Sequence, residues 1–508
     1  MPPSAPCEEP HRDHDPHPPQ RRPVHRAAAP AGTARVHRHP GQRPGRVQQG
    51  LHGLPRYLRF PDAAKGRGWL SAILNTVATT NETEDFNEQF SLARRAFGRD
   101  PSITTVRCGV SLAFEGLVTI ANKPDQIKKD LSTFTSFCAG AAARAEDLGD
   151  TGESDPTTWL FGAGTGDKVV HAVLIVAADT EALLKEKLKN LDTVEQTHQI
   201  TRVHVDEGRT LKGDLKGHEH FGYKDGISQP GVKDFHREDA GRKGFRDNHA
   251  GTELIEPGEF VFGHKSEQGD RKAPAWMKNG SLQVVRRLRQ DVAGWNKAVV
   301  DGVKNFTGNM DADRLGACLG GRAKDGTPLA PPCSAVTGLG SDRNGFDHAN
   351  DPIGRHTPWA AHIRRTHPRA FAGIVDKKPK SHRLMRRGIP YGPEFKGGPD
   401  DGKDRGLMFV CYGTSLEEQF ELVQQHWSND DAFTPGESQS DQVVANGFDK
   451  VTGLAGKASI ELADGTFGTV DMKRFVRTTG ALYAFAPSIS TLRLLAEGED
   501  LPNKSVGS

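Results

Sequence analysis

The order of apolar runs predicts an α+β chain with antiparallel sheets. Two observations carry this: a strand–helix–strand unit in the first half, and a comparable set of strands and helices in the second. Val169 to Ala177 is short, apolar and rich in β-branched residues, the mark of a buried strand. Thr180 is placed to cap the helix that follows, where Leu183, Leu184 and Leu188 fall on one face. Ile200 to Val205 then alternates as a half-buried strand does. This spacing makes half of a split βαβ unit.

Further along, Ser281 to Leu288 reads as a strand and Val292 to Phe306 as a helix. Gly406 to Tyr412 is another strand, and Ser415 with Glu418 offers a capping box for a helix ending near Trp427. Leu482 to Phe485 and Ser490 to Glu497 add a last strand and helix, while 338–351 and 394–404 are Gly- and Asp-rich surface loops. Two such units suit a pair of ferredoxin-like domains. The expected division is a leader over 1–54, an N-terminal domain over 55–225, a C-terminal domain over 226–500 and a tail over 501–508.

Composition sets the outer limits. At 508 residues the chain can bury a substantial core. Its formal charge of +2 gives no reason to expect nucleic acid or an anionic membrane as partner. The six cysteines (7, 108, 138, 318, 333 and 411) lack metal-binding spacing and read as reduced core or surface residues. No run of about eighteen apolar residues predicts a transmembrane helix. Residues 1–53 are rich in Pro, His, Arg and Gln and read as disordered, or as a mis-assigned leader. They hold no apolar signal core, so a cytoplasmic location is expected. The histidines at 11, 14, 17, 25, 37 and 39 are read as solvated low-complexity sequence rather than a metal site.

The chemistry gathers in three segments. Gly222-Tyr223-Lys224-Asp225-Gly226-Ile227-Ser228-Gln229-Pro230-Gly231 carries a carboxylate in a turn flanked by glycines. Ala361-His362-Ile363-Arg364-Arg365 carries an imidazole, and Met385-Arg386-Arg387-Gly388-Ile389-Pro390-Tyr391-Gly392 a pair of guanidinium groups. Taken singly, the first two have bland readings, a tight turn and a surface histidine, and the stretch holding Arg364 and Arg369 could be a solvated cationic face. Taken in this order, with Glu259 to Gly263, Arg286 to Val292, Arg405 to Tyr412 and Phe485 to Ser490, they resemble the dye-decolourising peroxidases. The likeness runs from about Thr105 to about Ala496.

That resemblance implies a dimeric α+β barrel fold, haem b on the second domain, and hydrogen peroxide as oxidant. Dyes, phenolic compounds or manganous ion would be the electron donors. By resemblance His362 is the axial iron ligand, with Asp441 as its carboxylate partner. Asp225 is the distal acid–base group, and Arg386, rather than its neighbour Arg387, the fixed cation. Arg364 and Arg369 are expected to pair the haem propionates, since guanidinium binds carboxylate in a fork. Leu407 and Phe409 alternate on one strand and would wall the pocket, or simply pack a core. Tyr391 and Trp427 could carry oxidising equivalents to bulky substrates at the surface. Thr357 and His367 depart from the family pattern; neither removes the catalytic set, and His367 bears on the propionate-side contact.

Two rival motifs fail. Gly162 to Lys168 has the glycines of a phosphate loop, but Asp167 precedes the Lys and no Ser or Thr follows it. His218-Glu219-His220 lacks a third ligand at metal spacing. The alternative functional readings are a haem-handling protein with incidental peroxidase activity and an α+β binding module without haem. A homo-oligomer is compatible with all of them.

Overall fold

Alternation along each strand decides which side chains face each other, and the pairing of distant strands decides what they enclose. The computed structural model describes residues 52–97, 103–247, 249, 251–269, 271–331, 343–369, 379–430 and 453–503. In its first half lie β1 (His52–Arg59), β2 (Val106–Leu112), β3 (Ala172–Ala178), β4 (Thr201–Val205) and β5 (Gly208–Arg209). The second half adds β6 (Ser281–Gln290), β7 (Met385–Arg386), β8 (Ile389–Tyr391), β9 (Gly406–Gly413) and β10 (Val476–Ala486).

These ten strands form one antiparallel sheet. Its path runs β9–β8–β5–β1–β3–β2–β10–β6, and β6 then pairs back onto β9, so the sheet closes on itself. Closure leaves this ring no exposed edge. The two halves meet at narrow seams, Gly208 opposite Tyr391 and Leu112 opposite Phe485. Gly208 suits its seam, because a Cβ there would stand 2.6 Å from Ile389. The expected α+β fold of the dimeric barrel type is therefore present, with both units sharing one sheet.

Alternation sorts the side chains to the two faces. Tyr57, Val173, Val285, Met408, Val410, Tyr412, Leu482 and Ala484 fill the inside of the barrel. The outer face carries Val110, Leu112, Leu174, Val176, Val284 and Phe485 against helices α1 (Ala63–Ile73) and α2 (Ile489–Glu497), through Trp69, Leu70, Leu492 and Leu495. Thr180 caps its helix as expected, its hydroxyl accepting from the Leu183 N–H at 3.2 Å. Ser415 likewise accepts from Glu418 N–H at 3.1 Å, but the helix it starts is wound as π-helix over Leu416–Glu421 and Val423–Ser428. β1 begins at His52, inside the stretch expected to be leader.

A second apolar cluster lies beside the barrel, where Trp295, Val299, Leu315, Leu319, Val470 and Phe475 pack together. Phe221 stacks on Trp295 with ring centroids 4.9 Å apart, and Tyr223 meets the same ring edge-on at 6.3 Å. The loop bearing Asp225 is thus anchored by two aromatic residues on one tryptophan. No helix among the described residues is long and apolar enough to cross a membrane.

Candidate active site

The Asp225 turn is built from the backbone outward. Gly222 and Gly226 both have positive φ, 93° and 75°, which a side chain would strain. Asp225 N–H donates to the Gly217 carbonyl at 3.0 Å. Behind the turn sits Glu219, which sequence reasoning met only inside the failed metal motif. Its carboxylate accepts from the N–H groups of Phe221 at 2.9 Å and Tyr223 at 2.8 Å, and from the amide of Gln290. Burial pushes the Glu219 carboxyl up to about 7, only partly countered by those hydrogen bonds.

The sign of its effect on stability follows. Glu219 holds its proton in the fold above the ordinary value of 4.5, at which an unfolded chain releases it. The unfolded state then binds fewer protons, so stability from this group falls as pH rises from about 4.5 to about 7. Glu219→Gln is expected to remove that slope, read as melting temperature against pH for the two proteins. Parallel curves would show that Glu219 does not titrate there.

Asp225 and Arg386 meet across the site. Arg386 Nη1 donates to Asp225 Oδ1 at 2.7 Å, and the Gly226 N–H donates to the same oxygen at 2.6 Å. Oδ2 carries no hydrogen bond among the described residues, and the two side chains keep 28% and 30% of their surface accessible, Asp225 first. Burial works against the Asp225 charge. The Arg386 guanidinium, the Gly226 N–H and, more weakly, His362 overcome it and hold the carboxyl below the usual range. Gln229 fixes the backbone of Arg386, its Nε2 donating to the Arg386 carbonyl at 2.9 Å. Gln229 belongs to the segment quoted above, yet its part was not legible there.

Register places the rest of the wall. Arg386 lies opposite Cys411 on β9, so Arg386, Cys411, Phe409 and Leu407 share the outer face of the sheet. Leu407 and Phe409 stay partly accessible while Met408 and Val410 are buried on the inside. His362 opens a short helix, α3 (His362–Thr366). That helix is pinned by Arg365, wholly buried, whose Nε donates to the Trp359 carbonyl at 2.9 Å and whose Nη1 donates to the Trp427 carbonyl at 2.8 Å. His362 is near enough to Asp225 to act on its charge. A partly accessible imidazole, near enough to act on the carboxylate of an Asp–Arg pair that keeps one oxygen free, is a donor set that would suit haem iron and peroxide.

Four of the expected residues lie inside the fold. Arg364 is fully enclosed. Its Nη1 donates to Asp351 at 2.9 Å and to the Thr357 carbonyl at 2.6 Å, its Nη2 to the Asp351 carbonyl, and it lies 3.6 Å over Trp359. Arg369 is similarly committed to the carbonyls of Asn344 at 3.0 Å and Phe346 at 2.8 Å. Both guanidinium groups brace the 343–369 segment. Tyr391 and Trp427 are 4% and 7% exposed, so neither presents a surface for bulky substrates. Asp441 lies outside the described residues. In the failed metal motif, His220 Nε2 pairs with the Tyr391 carbonyl at 2.8 Å, and His218 Nδ1 with the Lys216 carbonyl at 3.1 Å.

Known protein families match both halves of the chain. Residues 57–213 match the DyP dimeric alpha+beta barrel domain, and residues 244–437 the C-terminal domain of Dyp-type peroxidases. The dye-decolorizing peroxidase msp1 of Mycetinis scorodonius is 32% identical over 379 residues, 70% of this chain and 71% of that protein. The multifunctional dye peroxidase DyP2 of an Amycolatopsis species is 29% identical over 463 residues, covering 86% and 91%. Among solved structures, an ancestral D-type dye-decolorizing peroxidase superposes with a TM-score of 0.71 at 28% identity, over 89% of this chain and 96% of that one. A single-site mutant of the dye-decolorizing peroxidase from Pleurotus ostreatus gives 0.73 at 25% identity, over 87% and 96%. With two matching domains in order and a relative 32% identical over 70% of its length, this chain belongs to the dye-decolourising peroxidase family.

Proposed function

We propose that the chain is a haem b peroxidase that uses hydrogen peroxide to oxidise dyes and phenolic donors in one-electron steps. The observation that carries this reading is the Asp225–Arg386 pair, which leaves one carboxylate oxygen free beside a fixed cation. His362 would hold haem through its iron, and the haem would supply the redox chemistry that peroxide cleavage needs.

The side chains do the rest. Asp225 Oδ2 accepts the proton of one peroxide oxygen and returns it to the other, which leaves as water. The carboxylate ends as it began. Arg386 donates hydrogen bonds to the charge that builds on oxygen as the bond stretches, and it keeps Asp225 ionised beforehand. Leu407 and Phe409 exclude water from that face. Asp441, outside the described residues, would be the carboxylate that orients His362. The haem-handling alternative is not favoured, since the relatives matched over most of the chain are dye peroxidases.

The test is an absorption spectrum of haem-supplied wild type and His362→Ala, before and after peroxide. The wild type is expected to show a Soret band that shifts on peroxide addition, and the variant to lose or alter that band. A spectrum indifferent to the substitution would remove His362 as ligand.

A further inference from the structure

We propose that Tyr483 is a redox-active tyrosine, oxidised from the haem side with Glu421 as the acceptor of its proton. The inference rests on the peroxidase reading above, which supplies the oxidant.

The sheet register provides the path. Tyr483 on β10 lies opposite Val284 on β6, and Phe409 on β9 lies opposite Arg286, two residues further along β6. All four therefore share the outer face of the barrel with Arg386. The Phe409 ring, on the pocket wall, has its centroid 6.1 Å from that of Phe420, and Phe420 is 6.3 Å from Tyr483. Two ring contacts thus join the wall of the site to the phenol.

The partner of its hydroxyl is what sets Tyr483 apart. The chain has five tyrosines. Tyr223 lies against Trp295 and Tyr391 beside Thr479, while Tyr412 accepts from the Gln283 amide at 2.6 Å. The Tyr57 hydroxyl is buried with no hydrogen-bond partner among the described residues. Tyr483 donates to Glu421 Oε1 at 2.9 Å. Both residues are 2% exposed, and burial with the neighbouring Glu421 charge keeps the phenol protonated far above the ordinary range. A buried phenol that loses an electron becomes strongly acidic. Arg286, over Phe420 at 5.6 Å, is already paired with Asp150 at 2.6 Å, so Glu421 is the charged group that the phenol itself meets. The proton must leave, and Glu421 is in place to take it.

The step balances. The O–H bond of Tyr483 breaks, its proton goes to Glu421 Oε1, and one electron reduces the oxidising equivalent that peroxide leaves at the haem. A neutral phenoxyl radical remains, to be quenched by one electron from a donor and the returning proton. Glu421 is itself held by Ser136 Oγ at 2.9 Å and by Arg144 Nη2 at 3.1 Å. Arg144 is partly exposed and pairs with Asp147, which connects the acceptor to solvent charge.

The test is freeze-quench electron paramagnetic resonance of haem-loaded protein given peroxide without a reducing donor, using ring-deuterated tyrosine to identify the signal. Wild type is expected to give a tyrosyl signal, Tyr483→Phe to lose it, and Glu421→Gln to form it more slowly with an altered solvent-deuterium effect. Tyr483→Phe removes one oxygen and leaves Glu421 with Arg144 and Ser136, so its Soret band should match wild type. If haem binds and responds to peroxide but no tyrosyl signal forms, or the signal survives in Tyr483→Phe, the proposal is overturned. If haem does not bind or does not respond, the peroxidase reading has failed first.

Discussion

Asp225→Asn is expected to slow peroxide-dependent dye oxidation by about 10²–10⁴-fold, the range a positioned acid–base group contributes, while haem stays bound. Asparagine fills the same volume, and its amide oxygen can still accept from Arg386 and from the Gly226 N–H, so the turn should hold. What it lacks is the proton acceptor at Oδ2, where the amide NH₂ would stand instead. Peroxide would then have to lose its proton to water. The loss should fall on the rate of peroxide cleavage, read by stopped-flow absorbance, more than on the donor KM. A variant that reacts with peroxide at the wild-type rate would move the proton-transfer role to another group. Glu219 does not qualify as a substitute, because its two oxygens are spent on the backbone of the turn.

How much of this was written in the sequence depends on the range of the interaction. The strands at Ala172–Ala178 and Gly406–Gly413 and the Thr180 cap follow from residues within a few positions of each other. Closure of the sheet does not, since β6 and β9 lie far apart in the chain and their pairing leaves no local trace. β1 was hidden by Pro55, Arg56 and Arg59. Arg56 is buried there only because Glu195 and Asp192 neutralise it. The start of the helix after Ser415 was legible, but its π winding was not, because a capping box reports a beginning and not a pitch. At the site, Asp225 and Arg386 were readable as a pair through their motifs. Burial of arginines was the blind spot. Arg364, Arg365 and Arg369 read as a solvated or ligand-binding face, yet each spends its donors on carbonyls or a carboxylate inside the fold.

Arg386→Leu should both lower turnover and move its acid limit. Removing one donor aimed at developing oxygen charge costs about 10²–10³ in rate. The pH effect has a definite sign. Burial alone would raise the Asp225 carboxyl; Arg386 is the foremost of the groups that bring it below the usual range. Without that charge the carboxyl takes up its proton at higher pH, and only the ionised form can accept one from peroxide. The acid limb of the rate profile should therefore shift upward in Arg386→Leu. The same depression means that Asp225 contributes stability above its ordinary range and loses it as pH falls through the lowered value, so this contribution should shrink in the variant. Arg386→Lys separates the two effects. It restores a positive charge, and with it much of the acid limb, but not the planar fork that reaches Asp225 and peroxide together. Turnover in the lysine variant should stay well below wild type at every pH. If both variants keep the wild-type acid limb, Asp225 is not the group whose ionisation sets it, and the pair at 2.7 Å is a structural tie alone.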